Sequence, residues 1–207
     1  MYSCANCKVY GCRNGEFDLM PNNCPTKERE FQEKIKNIYT EEENLKLAKN
    51  SALVESEGYC EWTRVEEIME FSKKNNFKRL GVAFCIGLRK EAEIFSKVLK
   101  SNGFEVVSVI CKNGSIPKEF IGISECEKVR PGTAEMICNP IGQAKLLKNE
   151  GAELNIMLGL CVGHDSLFIK YSEAPVTVLA VKDRVTGHNP LAPLYTAETY
   201  YSKKIFK

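Results

Sequence analysis

The chain has 207 residues, 43% hydrophobic and 27% charged, an ordinary globular balance that excludes a chain disordered throughout. Its 29 Lys and Arg against 27 Asp and Glu leave a formal charge of +2, too even to mark a binder of nucleic acid or of an anionic membrane. No apolar run approaches the roughly 18 residues that span a bilayer, so neither nucleic acid nor membrane is an expected partner.

The opening Met-Tyr-Ser-Cys-Ala-Asn-Cys has no apolar core of a signal peptide, which predicts a cytoplasmic protein. Ten cysteines stand against two histidines. Cytosolic thiols are kept reduced, so this richness predicts metal ligation or thiol chemistry rather than disulfides.

In chain order, residues 1–28 come first. They are rich in Cys, Asn, Gly and Pro and too poor in apolar periodicity to build a core. Cys4, Cys7, Cys12 and Cys24 lie here. Four thiolates can close a tetrahedral site, and bound metal would supply the folding energy that the segment lacks. The expectation is a metal knuckle holding zinc or an iron–sulfur cluster. The single Cys-x2-Cys pair departs from the two pairs of a zinc ribbon. Cys24-Pro25 matches the end of ferredoxin cluster motifs, whose remaining spacing is absent. Zinc is preferred.

Residues 29–78 read as a helical segment. Phe31, Ile35 and Ile38 fall on one helical face, Leu45, Ala48 and Ala52 on another, and Val65, Ile68, Met69 and Ser72 on a third. Thr40 with Glu43, and Thr63 with Glu66, have capping-box spacing. Cys60 is expected to pack at a helix flank.

From Arg79 the pattern changes. Apolar runs at 80–84, 104–110, 154–160 and 176–181 alternate with helical stretches, one with Ala92, Phe95 and Leu99 on its inner face, another over 141–147 before Gly151. Such runs predict strands covered on both faces. Residues 79–207 are therefore expected to form an α/β domain, a small doubly wound parallel sheet of about four strands within 79–185. The tail over 190–207 carries Leu194, Tyr195, Tyr200, Tyr201 and Phe206 and is expected to pack back on it.

Cys85, Cys111 and Cys161 each close one predicted strand, and Cys138 precedes a helix. Ligands of open α/β sheets bind outside the carboxyl ends of the strands. Cysteine is also a small hydrophobe that suits buried strand ends, yet four at such positions point to one shared cofactor site. Phe84-Cys85-Ile86-Gly87 and Leu160-Cys161-Val162-Gly163 repeat one pattern, in which a following helix start makes the thiol more thiolate-like.

Both histidines follow a glycine, as Gly163-His164-Asp165 and Gly187-His188-Asn189. His164, Asp165 and His188 are the candidate catalytic groups. Lys182 and Arg184, after the fourth strand, could hold an anionic substrate or serve as plain surface charge. Cys126 fits neither constellation.

Phe-Cys-Ile-Gly-Leu at 84–88, Cys-Asn-Pro-Ile at 138–141, Gly-Leu-Cys-Val-Gly-His-Asp-Ser-Leu-Phe at 159–168, and Lys-Asp-Arg-Val with Gly-His-Asn-Pro over 182–190 resemble an uncharacterised family of small cysteine-rich proteins. The family is common in anaerobic bacteria and archaea. Its domain is one of unknown function, described as metal-binding. The resemblance spans nearly the whole chain, Cys4, Cys7, Cys12 and Cys24 included. It implies metal binding and a prokaryotic cytosol, and no reaction.

These features support three functional expectations. One is a metalloprotein with a structural knuckle and an iron–sulfur cluster at the strand-end cysteines, working on a small molecule by redox, sulfur or thiol chemistry. The second is a non-catalytic metal-binding or sensing protein acting through a protein partner. The third is a thiol enzyme with Cys161 as nucleophile and His164 as its base. An oligomer is compatible with each.

Overall fold

A computed structural model describes residues 1–206. The chain divides into two compact units, Met1–Glu57 and the remainder from Gly58.

The first unit opens with short turns and a four-residue helix, α1 (Gly11–Asn14). Two longer helices come next, α2 (Arg29–Tyr39) and α3 (Glu42–Gly58). The apolar face expected for α2 is present in sequence, but Phe31 and Ile38 are exposed and the helix buries no residue. Thr40 does not start α3. It lies at the carboxyl end of α2, where its hydroxyl donates to the Asn37 carbonyl at 2.7 Å, because α3 begins two residues later.

The second unit starts with α4 (Arg64–Lys74), whose capping box is complete: Thr63 accepts from the Glu66 N–H, and the Glu66 carboxylate accepts from the Thr63 N–H at 2.7 Å. Cys60 stands just before it with a left-handed φ of 59°, and is exposed rather than buried at a helix flank. Then come β1 (Arg79–Phe84), α5 (Arg89–Ser101), β2 (Glu105–Ile110), α6 (Pro140–Asn149), β3 (Leu154–Leu160), α7 (His164–Tyr171) and β4 (Val176–Val181). The four strands form one parallel sheet in the order β2-β1-β3-β4. The chain winds from β1 outward to β2, then crosses to β3 and β4 on the other side. The winding therefore reverses between β1 and β3, the switch point of a doubly wound sheet.

Alternation along the strands builds two cores. Leu80, Val82, Leu154 and Ile156 face Ile68 and Met69 of α4 and Phe95 and Leu99 of α5. Ala83, Met157 and Leu160 face Ala144 and Leu147 of α6 and Phe168 of α7. Leu160 joins Met157 on this side although strict alternation would place it with Leu158. The cause is a bulge: Met157 pairs with Val178, Leu158 with Ala180 and Leu160 with Val181, while Gly159 turns left-handed with φ of 69°. A bulge at a sheet's rim re-aims the side chains beyond it.

The tail forms two single-turn helices, α8 (Ala192–Tyr195) and α9 (Ser202–Ile205). Of the five side chains expected to pack back, Leu194, Tyr195, Tyr200 and Phe206 are exposed and Tyr201 is half-buried. Four-residue helices present no continuous apolar stripe with which to dock.

Candidate thiol site at the strand ends

Cys85 follows β1 and Cys111 follows β2, and both are buried. The backbone sets them side by side. The Cys111 N–H donates to the Phe84 carbonyl at 2.9 Å, continuing the ladder one residue past the strands. The Ile86 N–H donates to the Cys111 sulfur at 3.3 Å. Cys138 comes from the far end of the β2–α6 connection, half-buried, and its neighbour Asn139 donates its N–H to the Cys111 carbonyl at 2.7 Å. Asn139 also caps α6, its side chain accepting from the Gly142 N–H at 2.8 Å. Gln143, fully buried on α6, donates to the Val109 carbonyl at 2.7 Å and the Phe84 carbonyl at 3.2 Å, lacing the ends of β1 and β2 together beneath the thiols.

The Cys111 thiol interacts with both Cys138 and Cys85. It keeps its proton: contact with Cys138, then with Cys85, pushes its pKa far up. Its neighbours respond in the opposite sense. The single Cys111 S–H, which can donate to one neighbour at a time, together with the Gly87 N–H and the Lys182 charge, brings Cys85 down to about 5. The same S–H, with the His164 imidazole and the Lys112 charge beside it, brings Cys138 down to about 4. His164 is raised in turn, chiefly by its hydrogen bond to Cys138. These shifts favour a proton on the central thiol and thiolate character on either side of it, and draw the His164 imidazole toward its charged form beside Cys138.

Cys161, half-buried after β3, meets a different partner: the Arg184 guanidinium donates to its sulfur at 3.2 Å, and Cys161 holds the arginine's pKa up. The charges of Cys85 and Cys138 also reach Arg184. Lys182 lies over the β1 end, 3.4 Å from where a side chain on Gly87 would begin and 3.6 Å from the same point on Gly159. Glycine at both places leaves room for it.

A cleft of about 940 Å³ opens over these groups. Cys138, Cys161, His164 and Arg184 form one wall, and residues of the long β2–α6 connection form the other. Connections of that length inside a compact unit are commonly functional. This one is ordered by its own polar bonds. The Lys118 N–H donates to the Glu135 carbonyl at 2.9 Å, and the Ile137 N–H donates to the Ile116 carbonyl at 2.8 Å. The buried Lys128 ammonium is shared by Glu119, Glu125 and the Thr133 carbonyl.

The remaining candidates lie apart. Asp165 accepts from the Ser166 N–H at 2.8 Å in the first turn of α7 and does not line the cleft. His188 belongs to a turn of its own. Its N–H donates to the Asp183 carbonyl at 2.9 Å, and the Asp183 N–H donates to its Nδ1 at 3.1 Å. In the first unit, Cys4, Cys7 and Cys24 line one hollow of about 310 Å³, and Cys12, on α1, is exposed and not part of that lining. Hydrogen bonds from Thr26 lower the Cys24 pKa. Among the described residues no three His, Cys, Asp or Glu side chains are set around a common metal position.

Lys112, Lys118, Arg130 and Gln143 escape sequence reasoning. The signal available for the first three is the length of the connection carrying them, and for Gln143 there is none.

Residues 24–179 match a family described as protein of unknown function, DUF1847. The chain belongs to this family. The DUF1847 match includes Cys85, Cys111, Cys138, Cys161 and His164, and begins at Cys24. The uncharacterized protein MJ0455 of Methanocaldococcus jannaschii is 45% identical over 204 residues, 99% of this chain and 98% of that protein. A crystal structure of an N-acetyl-L-ornithine transcarbamylase variant complexed with carbamyl phosphate and N-succinyl-L-norvaline matches at a TM-score of 0.32 and 17% identity, over 58% of this chain and 40% of that one. A second variant of that enzyme matches at a TM-score of 0.28 and 16% identity, over the same shares of the two chains. No described helix is long and apolar enough to cross a membrane.

Proposed function

We propose that this DUF1847 member is a cytoplasmic metal-binding protein whose strand-end cysteines hold an iron–sulfur cluster and do redox, sulfur or thiol chemistry on a small molecule. The observation that carries the reading is the gathering of Cys85, Cys111 and Cys138 beyond the carboxyl ends of β1 and β2, close enough to perturb one another's ionisation. Soft thiolates are the ligands of such clusters. The donor set fits: two of the three thiols already favour the thiolate, which is the ligating form. Lys182, Arg184 and Lys112 stand where they would offset the negative charge of a thiolate-ligated cluster. With three cysteines as ligands, Cys161 and the cleft remain available to a substrate. The knuckle of Cys4, Cys7, Cys12 and Cys24 is the second metal site, for zinc or an iron–sulfur cluster, and is structural.

Anaerobic purification with iron, sulfide and zinc counted per chain tests this. Iron and acid-labile sulfide should be present and should fall in Cys85→Ser and Cys138→Ser. Protein that carries no iron when purified and reconstituted anaerobically would sink the cluster.

One observation favours a second reading, a thiol enzyme without metal at the strand ends. Cys138, lowered to about 4, and His164, raised by it, face a cleft together, an arrangement that suits an activated nucleophile. The pairing makes Cys138, rather than Cys161, the nucleophile of such an enzyme.

A further inference from the structure

The cleft beside the thiols is more basic than the chain as a whole. Lys112, Lys118, Arg130 and Arg184 line it against two carboxylates, Glu127 and Glu135. Both carboxylates are occupied by the connection's own donors. Glu127 accepts from the Ser124 N–H at 2.9 Å and the Ser124 hydroxyl at 2.6 Å. Glu135 takes Lys118 at 2.5 Å, the Arg130 N–H at 2.7 Å and the Val129 N–H at 3.3 Å. Lys112 donates to the Met136 carbonyl at 2.6 Å and has no carboxylate among the described residues. Arg184 bonds a sulfur. Lys112, Arg130 and Arg184 thus face the cleft without an acidic partner among the described residues, in a chain whose charges otherwise nearly balance. Concave, low-dielectric walls of one sign concentrate ligands of the other. Between the cations the lining is apolar: Ile86, Ile121, Ile123, Val129 and Ile137. Ile86, Ile121 and Val129 are exposed, and large apolar side chains gathered around polar groups ordinarily mark a binding surface.

We propose that this cleft binds a small organic anion, its charged end held by Arg130, Arg184 and Lys112 and its carbon frame lying on the isoleucine and valine floor, beside Cys138 and Cys161. Planar guanidinium forks suit carboxylate and phosphate alike. The class of ligand deepens the proposal above and rests on the same cleft, but it needs no metal.

The experiment is calorimetric titration of the full chain with hexanoate, hexyl phosphate, hexylammonium and hexanol at one ionic strength, with metal counted on every sample. Hexanoate or hexyl phosphate should bind, and whichever binds tighter identifies the charged end. Hexylammonium and hexanol should bind at least about tenfold more weakly, the scale of one lost charge-assisted contact. Arg130→Gln and Arg184→Gln should each weaken the anion by about as much, whereas Lys97→Gln, an exposed residue paired with Glu93 on α5, should leave it unchanged. Arg130 is exposed, so its loss leaves the fold intact, which circular dichroism verifies. Binding of neither anion, equal binding of hexanol or hexylammonium, or unchanged binding in both arginine variants overturns the site. Anion preference in protein without iron leaves this site standing and removes the cluster; iron without anion preference does the reverse.

Discussion

The His164 imidazole interacts with the Cys138 thiol, lowering the thiol's pKa as its own rises, although Cys161 is the cysteine nearest to it in the chain. Cys161 contributes only its carbonyl, which accepts the His164 N–H at 3.0 Å and so starts α7. The side chain is thereby turned toward the β2–α6 connection, and Arg184 takes the Cys161 sulfur.

That division of partners has a pH signature. Cys138 is lowered to about 4, so above that pH it is thiolate and below it thiol. In metal-free protein, alkylation of Cys138 by iodoacetamide should persist down to about pH 5, where an ordinary thiol of pKa near 8.5 has lost nearly all reactivity. His164→Ala removes the second-largest cause of the lowering, so the profile should move to higher pH. Mass spectrometry of the modified peptide reads both. A Cys138 profile that tracks exposed Cys126 would count against the pairing.

Gly159 is where the sheet edge is bent to make the site. Its φ is 69°, and a Cβ there would stand 2.2 Å from Leu88 Cδ1. Gly163, with φ of 82°, has nothing within 4 Å. Gly163→Ala should therefore lose only the strain of a positive φ, roughly 1–3 kcal/mol. Gly159→Ala is strained at a positive φ too and must also displace Leu88, so its loss should be the larger by at least about 1 kcal/mol. Urea unfolding of the two variants gives the comparison directly. Equal losses would show that Leu88 yields without strain.

The four strands are legible because buried parallel strands are continuous apolar runs, and 80–84, 154–160 and 176–181 have nothing else to be. The strand-end cysteines are legible for the same reason: the runs at 80–84, 104–110 and 154–160 each stop at a Cys. What the sequence hides is the partner of each group. His164 lies close to Cys161 along the chain, and only the path of the 111–139 connection brings Cys138 to it. That connection has no period to read, since its order comes from single bonds such as those of Lys128 to Glu119 and Glu125. The amphipathic pattern of α2 marks a helix, yet a pattern does not say whether a face finds a partner, and Phe31 and Ile38 remain exposed.

Gln143 carries a polar load inside the core. Its amide N–H groups hold two carbonyls at the ends of neighbouring strands, and its own oxygen has no hydrogen-bond partner among the described residues. Gln143→Leu would leave the Val109 carbonyl without this donor, a loss of about 1–3 kcal/mol in chemical denaturation. Gln143→Glu would set a carboxylate against two carbonyl oxygens and should be the more damaging of the two. The reverse ranking would mean that the side chain turns to another partner.

The knuckle makes the last prediction. Cys4, Cys7 and Cys24 share one hollow in a segment whose only buried residues are Gly11 and Met20. So small a core cannot fold 28 residues unaided, and a metal there would be the dominant stabilising group. Cys7→Ser should remove one ligand and with it the metal of this site, leaving residues 1–28 open to protease. The clusters that hold the sheet together are built from residue 65 onward, so the second unit should unfold at its usual denaturant concentration. Limited proteolysis, metal analysis and urea unfolding of one sample distinguish the outcomes. Full metal content in Cys7→Ser, or wild-type resistance of residues 1–28 to protease after the metal is stripped, would show that the segment is held by something other than its cysteines.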